Sequence, residues 1–87
     1  MSDGATGIRY GAGVSLFLYR HALDRMAERG ITREEIVQAL QSPDTTYTSK
    51  DDDTRLVILG KTASGRLLMI VVEKSDHEAI VTVAERD

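Results

Sequence analysis

Apolar residues first recur with helical spacing in the segment from Arg20 to Arg29. At about 100° per residue, four of them fall on one continuous arc, which predicts a helix with one face toward a core. Gly30 follows as the residue expected to take the left-handed conformation at the helix end. The predicted core-facing residues are Ala22, Leu23, Met26 and Ala27.

The next residues carry a complete start signal for a second helix. Thr32 can accept a hydrogen bond from the first turn, and Glu35, three residues later, completes a capping box. Ile31 and Ile36 have the spacing of a hydrophobic staple across that start. Pro43 is expected to end the helix, and the two segments together predict an αα-hairpin. The predicted buried stripe of the second helix contains Ile36, Val37 and Leu40.

After the second helix the pattern changes to short apolar runs separated by turns, which is typical of strands. The acidic triplet 51–53 predicts a solvated turn, and residues 62–65 predict a hairpin loop with glycine at its end. Gly60 is expected to end one strand. Six successive apolar residues, 67–72, predict a central strand covered on both faces. The predicted strands are Thr45–Ser49, Arg55–Leu59, Leu67–Val72 and Ala79–Ala84.

Ahead of the helices, Val14–Tyr19 is a further apolar run, and it is either a first strand or the start of the following helix. Residues 1–13 contain four of the seven glycines and are expected to form a flexible lead-in to a single domain over residues 14–87. The short connections favour antiparallel pairing. The expected fold is therefore α+β, with an N-terminal αα-hairpin packed on one face of an antiparallel β-meander of about four strands.

Composition narrows the chemistry. The chain has no cysteine and two histidines, so disulfides, thiolate metal sites and a cysteine nucleophile are excluded, and no metal or cofactor is expected. The net charge of −3 lacks the basic surplus typical of non-specific nucleic-acid binding. No run approaches the ~20 apolar residues of a membrane span, and the N-terminus does not read as a secretion signal. The cytoplasm is the expected location, with no membrane contact.

One motif in the first predicted helix suggests a family. It reads His21-Ala22-x-x-Arg25-Met26-x-x-Arg29-Gly30-Ile31-Thr32. It resembles the helix motif of a family of small bacterial domains of unknown function that is similar to BrnT-type toxins. Ser42-Pro43, Gly65-Arg66-Leu67-Leu68 and the closing run 80–84 fit the later elements of that pattern. The resemblance covers about residues 15–87 and implies a RelE-like fold.

The same resemblance implies an activity and partners. BrnT-type toxins belong to toxin–antitoxin pairs and are neutralised by a protein that covers them. The chain is therefore expected to be a toxin-like domain that acts on RNA as a metal-independent endoribonuclease. The expected partners are an RNA substrate and a cognate antitoxin protein.

RNA cleavage without a metal needs a group that deprotonates the ribose 2′-hydroxyl, a group that protonates the leaving oxygen, and cations around the phosphate. The helical wheel leaves His21, Arg25, Glu28 and Arg29 together, away from the core-facing arc. His21 and Arg25 are the predicted catalytic centre, with Glu28 orienting either of them and Arg29 holding phosphate. The alternative is structural: both arginines pair with nearby carboxylates, and His21 binds a backbone carbonyl.

Three more basic residues, Arg55, Lys61 and Arg66, flank one predicted hairpin. They are expected to form a phosphate-binding rim beside the first helix. The alternative is a solvated hairpin edge whose charges prevent the addition of another strand. His77, in the last predicted turn, is either a second acid–base group or an ordinary exposed residue.

A non-catalytic protein-interaction module with the same fold is a second class of function. It is motivated by the acidic net charge, the few aromatic residues and a thin core that a partner or a second copy can complete. Exposed strand edges also permit a homodimer. Cleavage of RNA by the purified protein, abolished by His21→Ala, would separate the two classes.

Overall fold

Two helices pack on one face of a six-stranded mixed sheet in this protein, for which a computed structural model describes residues 7–10 and 16–86. The elements in chain order are β1 (Gly7–Tyr10), β2 (Leu16–Tyr19), α1 (Arg20–Arg29), α2 (Arg33–Gln41), β3 (Pro43–Thr48), β4 (Arg55–Lys61), β5 (Leu67–Glu73) and β6 (Asp76–Glu85). The strand order across the sheet is β1-β2-β6-β5-β4-β3.

The topology differs from the prediction in one respect. Strands β3 to β6 form the expected antiparallel meander, but β1 and β2 extend the sheet beyond β6, and β2 runs parallel to β6. The prediction of about four strands, all antiparallel, is therefore wrong. The helical hairpin connects β2 to β3 at the opposite side of the sheet, and the meander β3-β4-β5-β6 then leads back toward β2. That return brings β6 alongside β2 in the same direction, with Phe17 opposite Ala79 and Leu18 opposite Ile80.

The N-terminal part of the described chain is strand rather than helix. Leu16–Tyr19 is β2, which decides between the two alternatives for these residues, whereas Val14 and Ser15 lie outside the described residues. Within the segment 1–13, Gly7–Tyr10 is β1 and pairs antiparallel with β2. The other residues of that segment lie outside the described part of the chain.

Helix α1 begins and ends where the sequence pattern places it. Gly30 has a left-handed φ of 64°, as expected for the residue that ends a helix. This conformation allows the Ile31 N–H to donate to the Met26 carbonyl at 3.0 Å, which closes the helix end.

Helix α2 starts with the predicted capping box. The Glu35 N–H donates to Thr32 Oγ1 at 3.1 Å, and the Thr32 N–H donates to Glu35 Oε1 at 2.9 Å. These two bonds satisfy backbone donors that the first turn leaves free. The helix ends at Gln41, two residues before Pro43.

The core lies between the helices and the inner face of the sheet. Ala27, at the rim of the predicted apolar arc of α1, is exposed, so its assignment to the core is wrong. The helix residues in the core are Ala22, Ile36 and Ala39, with Leu23, Met26, Val37 and Leu40 packed against it. The sheet contributes Leu16, Leu18, Leu56, Ile58, Leu68, Ile70, Val72, Ile80 and Val83.

Gly60 lies inside β4 rather than ending it, because the strand continues to Lys61. A Cβ atom added at Gly60 would overlap the backbone carbonyl of Ala39 in α2. Glycine in a strand often marks such a close backbone approach, and here it permits α2 to lie directly on the sheet. The prediction that this glycine ends a strand is therefore wrong.

The outer face of the sheet carries no helix in the described chain. Along β5, Leu68, Ile70 and Val72 are fully buried, whereas Met69 and Val71 are only partly buried. Successive strand residues point to opposite faces, so β5 is covered on one side only. The prediction of cover on both faces is wrong, because the two helices form one hairpin and pack on the same side. We call the uncovered side the open face.

Gly60→Ala should destabilise the fold by about 3 kcal/mol, because the new methyl group overlaps backbone that no side-chain movement can relieve. Urea-induced unfolding measures this change. The matched control is Gly65→Ala, where the added Cβ meets nothing within 4 Å and the cost is the left-handed backbone alone, about 1 kcal/mol. An equal or smaller loss for Gly60→Ala would contradict the contact with α2.

Candidate functional site

The first group of predicted residues lies on the solvent side of α1. His21, Glu28 and Arg29 are exposed, and the side chain of Arg25 is 42% exposed. Helix residues four apart are neighbours, so His21, Arg25 and Arg29 form one row along α1. The structure therefore brings these four predicted residues together on one surface, which we call the α1 surface.

Within the α1 surface, Arg25 and Glu28 form an ion pair. Arg25 Nη1 lies 3.3 Å from Glu28 Oε1, and the two side chains are 42% and 60% exposed. Because water competes for both groups, such a pair contributes about 0–1 kcal/mol. It can therefore open when a phosphate offers the guanidinium two oxygens at once. The pair is compatible both with Glu28 orienting Arg25 and with the structural alternative.

Arg66 has a different position from the one expected. Its Nη2 donates to the Arg29 carbonyl at 2.7 Å, and its Nη1 donates to the Gly30 carbonyl at 3.0 Å. The same Nη1 lies 3.0 Å from Glu35 Oε1, and Nε lies 2.9 Å from Glu85 Oε2. One guanidinium thus joins the end of α1, the start of α2 and the last strand. We call this arrangement the Arg66 clamp.

The Arg66 clamp shifts the titration of the groups in it. The pKa of Glu35 lies below its ordinary value, first because its carboxylate accepts the Thr32 backbone N–H and then because of Arg66. The hydrogen bond from Arg66 likewise lowers the pKa of Glu85, and the two carboxylates raise the pKa of Arg66. Since two carboxylates and two carbonyls already occupy its donors, Arg66 is not placed to hold a phosphate.

Arg55 lies on the open face, at the start of β4. Its Nε is 3.5 Å from Asp52 Oδ2 and 3.9 Å from Glu73 Oε1. Tyr19, on the same face, donates its hydroxyl to Glu73 Oε2 at 2.8 Å. We call these four residues the open-face cluster. With two carboxylates for one guanidinium, the cluster disfavours an anionic phosphate near Arg55.

Sequence reasoning missed Tyr19 and Glu73. The bond between them spans 54 positions and depends on β2 and β5 lying on either side of β6, a pairing that no local pattern in the chain encodes. Burial raises the pKa of Tyr19 above its ordinary value, and the hydrogen bond to Glu73 raises it further. Phe17 packs edge-to-face on the Tyr19 ring, with centroids 5.5 Å apart, and helps to hold the ring in place.

Lys61 lies at the other end of β4 and is exposed. It borders a concavity of about 270 Å³ together with Gln38, Gln41 and Thr62. Arg55 and Lys61 are six residues apart on one strand, or roughly 20 Å. Arg66 flanks the same hairpin as Lys61, but its guanidinium is held in the clamp. The structure therefore does not bring Arg55, Lys61 and Arg66 together as one rim.

The centre of the open face is apolar. A concavity of about 780 Å³ lies there, between the sheet and the loop after β3. Tyr47, at 42% exposure, is the large apolar side chain most open to solvent within residues 16–86. The concavity is lined by Tyr47, Thr48, Ser49, Lys50, Asp51, Val57, Met69 and Val71.

The described residues contain neither a metal-binding cluster nor a membrane-spanning helix. Across 7–10 and 16–86, no three His, Asp or Glu side chains are grouped so that they could hold a metal ion. No helix in the same ranges has the length and apolar character needed to cross a membrane.

The fold and these surfaces define a small α+β domain with a helical hairpin on one side of a mixed sheet. The chain belongs to the family described as Domain of unknown function (DUF4258), which matches residues 18–85. This range runs from the end of β2 to the end of β6, so it contains the α1 surface, the Arg66 clamp and most of the open face. Neither the curated proteins nor the solved structures contain a significant match to the chain. The expected membership of a family of small domains of unknown function is confirmed.

Arg66→Ala should lower the melting temperature by several degrees, because it removes the donors to both carbonyls at the end of α1 and leaves Glu35 and Glu85 without their cation. Arg66→Lys should rescue only part of the loss, since an ammonium group cannot span the same four acceptors. Thermal unfolding followed by circular dichroism measures both. Lys61→Ala, on the same hairpin, is the control, and its melting temperature should be close to that of the unchanged protein. An unchanged melting temperature for Arg66→Ala would rule out the clamp as a stabilising contact.

Acid should weaken the fold partly through Glu35. Its pKa is lower in the folded chain than its ordinary value of 4.5, so ionised Glu35 stabilises the fold above about that pH. The contribution is lost as the pH falls through the lowered folded pKa. The unfolding free energy, measured by urea titration from pH 6 down to about pH 3, should fall less steeply in Glu35→Gln. Glu34→Gln, at the exposed neighbouring position, is the control, and its unfolding free energy should fall with pH as steeply as that of the unchanged protein. Equal slopes for all three proteins would contradict the contribution assigned to Glu35.

Proposed function

We propose that this domain acts on RNA as a toxin-like, metal-independent endoribonuclease and that the α1 surface is its working surface. The observation that supports the proposal is the single exposed row of His21, Arg25 and Arg29 on α1. A histidine beside two guanidinium groups supplies both the proton-transfer group and the phosphate-binding cations that the reaction needs.

The distribution of charge favours the α1 surface over the other predicted phosphate sites. The whole chain has 11 basic and 14 acidic residues, yet α1 alone has three arginines against two carboxylates. By contrast, Arg66 is held in its clamp, and Arg55 lies between Asp52 and Glu73. A phosphate would therefore meet a net positive field on α1 and a net negative one at Arg55.

The proposed reaction is internal transesterification. The 2′-oxygen attacks the adjacent phosphorus, the bond to the 5′-oxygen breaks, and the products are a 2′,3′-cyclic phosphate and a free 5′-hydroxyl. The His21 imidazole takes the proton from the 2′-hydroxyl, and a water molecule supplies one to the leaving oxygen. Arg25 and Arg29 stabilise the charge that builds on the phosphate oxygens, while Glu28 keeps Arg25 in position until RNA binds.

His21→Ala should lower the rate of RNA cleavage by about 10²–10⁴-fold, the usual contribution of general acid–base catalysis. The assay uses purified protein, free of any partner, and a labelled single-stranded RNA with EDTA present, and it identifies the cyclic phosphate end. His77→Ala, at the other exposed histidine, is the matched control and should cleave normally. Intact RNA with the unchanged protein, or equal cleavage by both variants, would overturn the proposal.

A second candidate function is protein binding through the open face. It is favoured by the apolar concavity beside Tyr47, because exposed apolar surface rimmed by polar groups is typical of interaction sites. Under the toxin-like proposal this partner is a cognate antitoxin that covers the domain. A non-catalytic module would instead bind its partner at this face and leave RNA intact. The cleavage assay above therefore separates the two candidates.

A further inference from the structure

Strand β3 is an edge of the sheet that another strand can extend. Within residues 7–10 and 16–86 it pairs with β4 alone, and all six of its residues are exposed. Natural edge strands usually carry lysine, proline or a bulge that prevents further pairing. Here Pro43 and the register shift after it protect only the beginning of the strand. The remaining residues, Thr45-Thr46-Tyr47-Thr48, are β-prone and uncharged.

The hydrogen bonds between β3 and β4 identify the backbone groups that the edge leaves free. The Ser49 N–H donates to the Arg55 carbonyl at 2.9 Å, so Ser49 stands at a hydrogen-bonded position of the ladder, although the Arg55 N–H donates instead to the Asp52 carbonyl. Such positions alternate along an antiparallel ladder. Thr48 lies opposite Leu56 and Thr46 lies opposite Ile58, at the positions between the hydrogen-bonded pairs. Both threonines therefore direct their N–H and C=O groups away from β4. These four backbone groups are available to a further strand.

We infer that β3 pairs antiparallel with β3 of a second copy of this chain, about a two-fold axis at Tyr47. Thr46 of each copy then lies opposite Thr48 of the other, and both are residues whose backbone groups point outward. Each of these two pairs exchanges two hydrogen bonds. The result is one continuous sheet of twelve strands, built from the six of each copy.

Side chains in this register are complementary. The two Tyr47 rings lie side by side across the axis on the open face, so each covers an exposed aromatic side chain of the other. The two-fold axis also brings the end of β3 that carries Asp44 close to the other copy's Lys50, two residues beyond Thr48, and symmetry repeats this proximity. Both residues are exposed in the single chain. This match of opposite charges favours a second copy over an unrelated extended peptide.

The inference rests on the β3 edge and is independent of RNA cleavage, which is proposed for α1. Sedimentation equilibrium of the full chain should show a monomer–dimer equilibrium, from 9.6 kDa to twice that mass as concentration rises. A dissociation constant of 1 mM corresponds to a dimerisation free energy of only about 4 kcal/mol. A mass of 9.6 kDa at every concentration up to about 1 mM would therefore overturn the proposed dimer.

Thr46→Pro should weaken the dimer about tenfold, because proline removes one of the outward N–H groups in each copy. No bond to β4 is lost, since that N–H faces away from it, and thermal unfolding checks that the variant is folded. Thr46→Ala keeps the N–H and is the matched control, which should dimerise like the unchanged chain. Equal dimerisation of the two variants would place the interface elsewhere and overturn the inference.

A charge exchange tests the second copy and the register together. Asp44→Lys and Lys50→Asp should each weaken the dimer, because like charges then face each other twice across the axis. The double variant, Asp44→Lys with Lys50→Asp, should restore the dissociation constant of the unchanged chain. Two weakened single variants without restoration in the double variant, or no weakening at all, would overturn the proposed pairing.

Discussion

The Arg66 guanidinium joins both helices of the domain to the last strand of its sheet. It binds the carbonyls of Arg29 and Gly30 at the end of α1, the capping carboxylate of Glu35 at the start of α2, and Glu85 at the end of β6. A short domain has little buried surface to position its helices. A planar cation with several fixed donors supplies that positioning at one point, where it binds the end of α1.

The packing of both helices on one side of the sheet gives the domain two surfaces with different chemistry. Helices α1 and α2 cover one side of the sheet, so the polar side of α1 faces solvent with a net positive charge. The open face remains on the other side, apolar at its centre and acidic near Arg55. The proposed RNA chemistry and the proposed contacts between proteins therefore do not compete for the same residues. A dimer through β3 would leave both α1 surfaces accessible, because β3 and α1 lie at different parts of the fold.

Local patterns predicted the local structure well. Both helices, the capping box at Thr32 and the left-handed Gly30 follow from residues within one or two turns of each other. The predictions failed where the outcome depended on distant parts of the chain. Nothing near Gly60 indicates that Ala39 will lie against it, and nothing near Tyr19 indicates Glu73. The α1 surface was predictable because one helix carries it. The clamp was not, because its contacts span up to 37 positions in the sequence.

The central claim is that α1 is the surface that meets RNA. The most direct measurement is the backbone amide spectrum of ¹⁵N-labelled protein, titrated with a short single-stranded RNA whose 2′-hydroxyls are all methylated, so that the strand cannot be cleaved. If RNA binds α1, the amide signals of residues 20–29 should shift, whereas those of β3, β4 and β5 should stay in place. Shifts confined to the open face, or a spectrum unchanged by RNA, would contradict it.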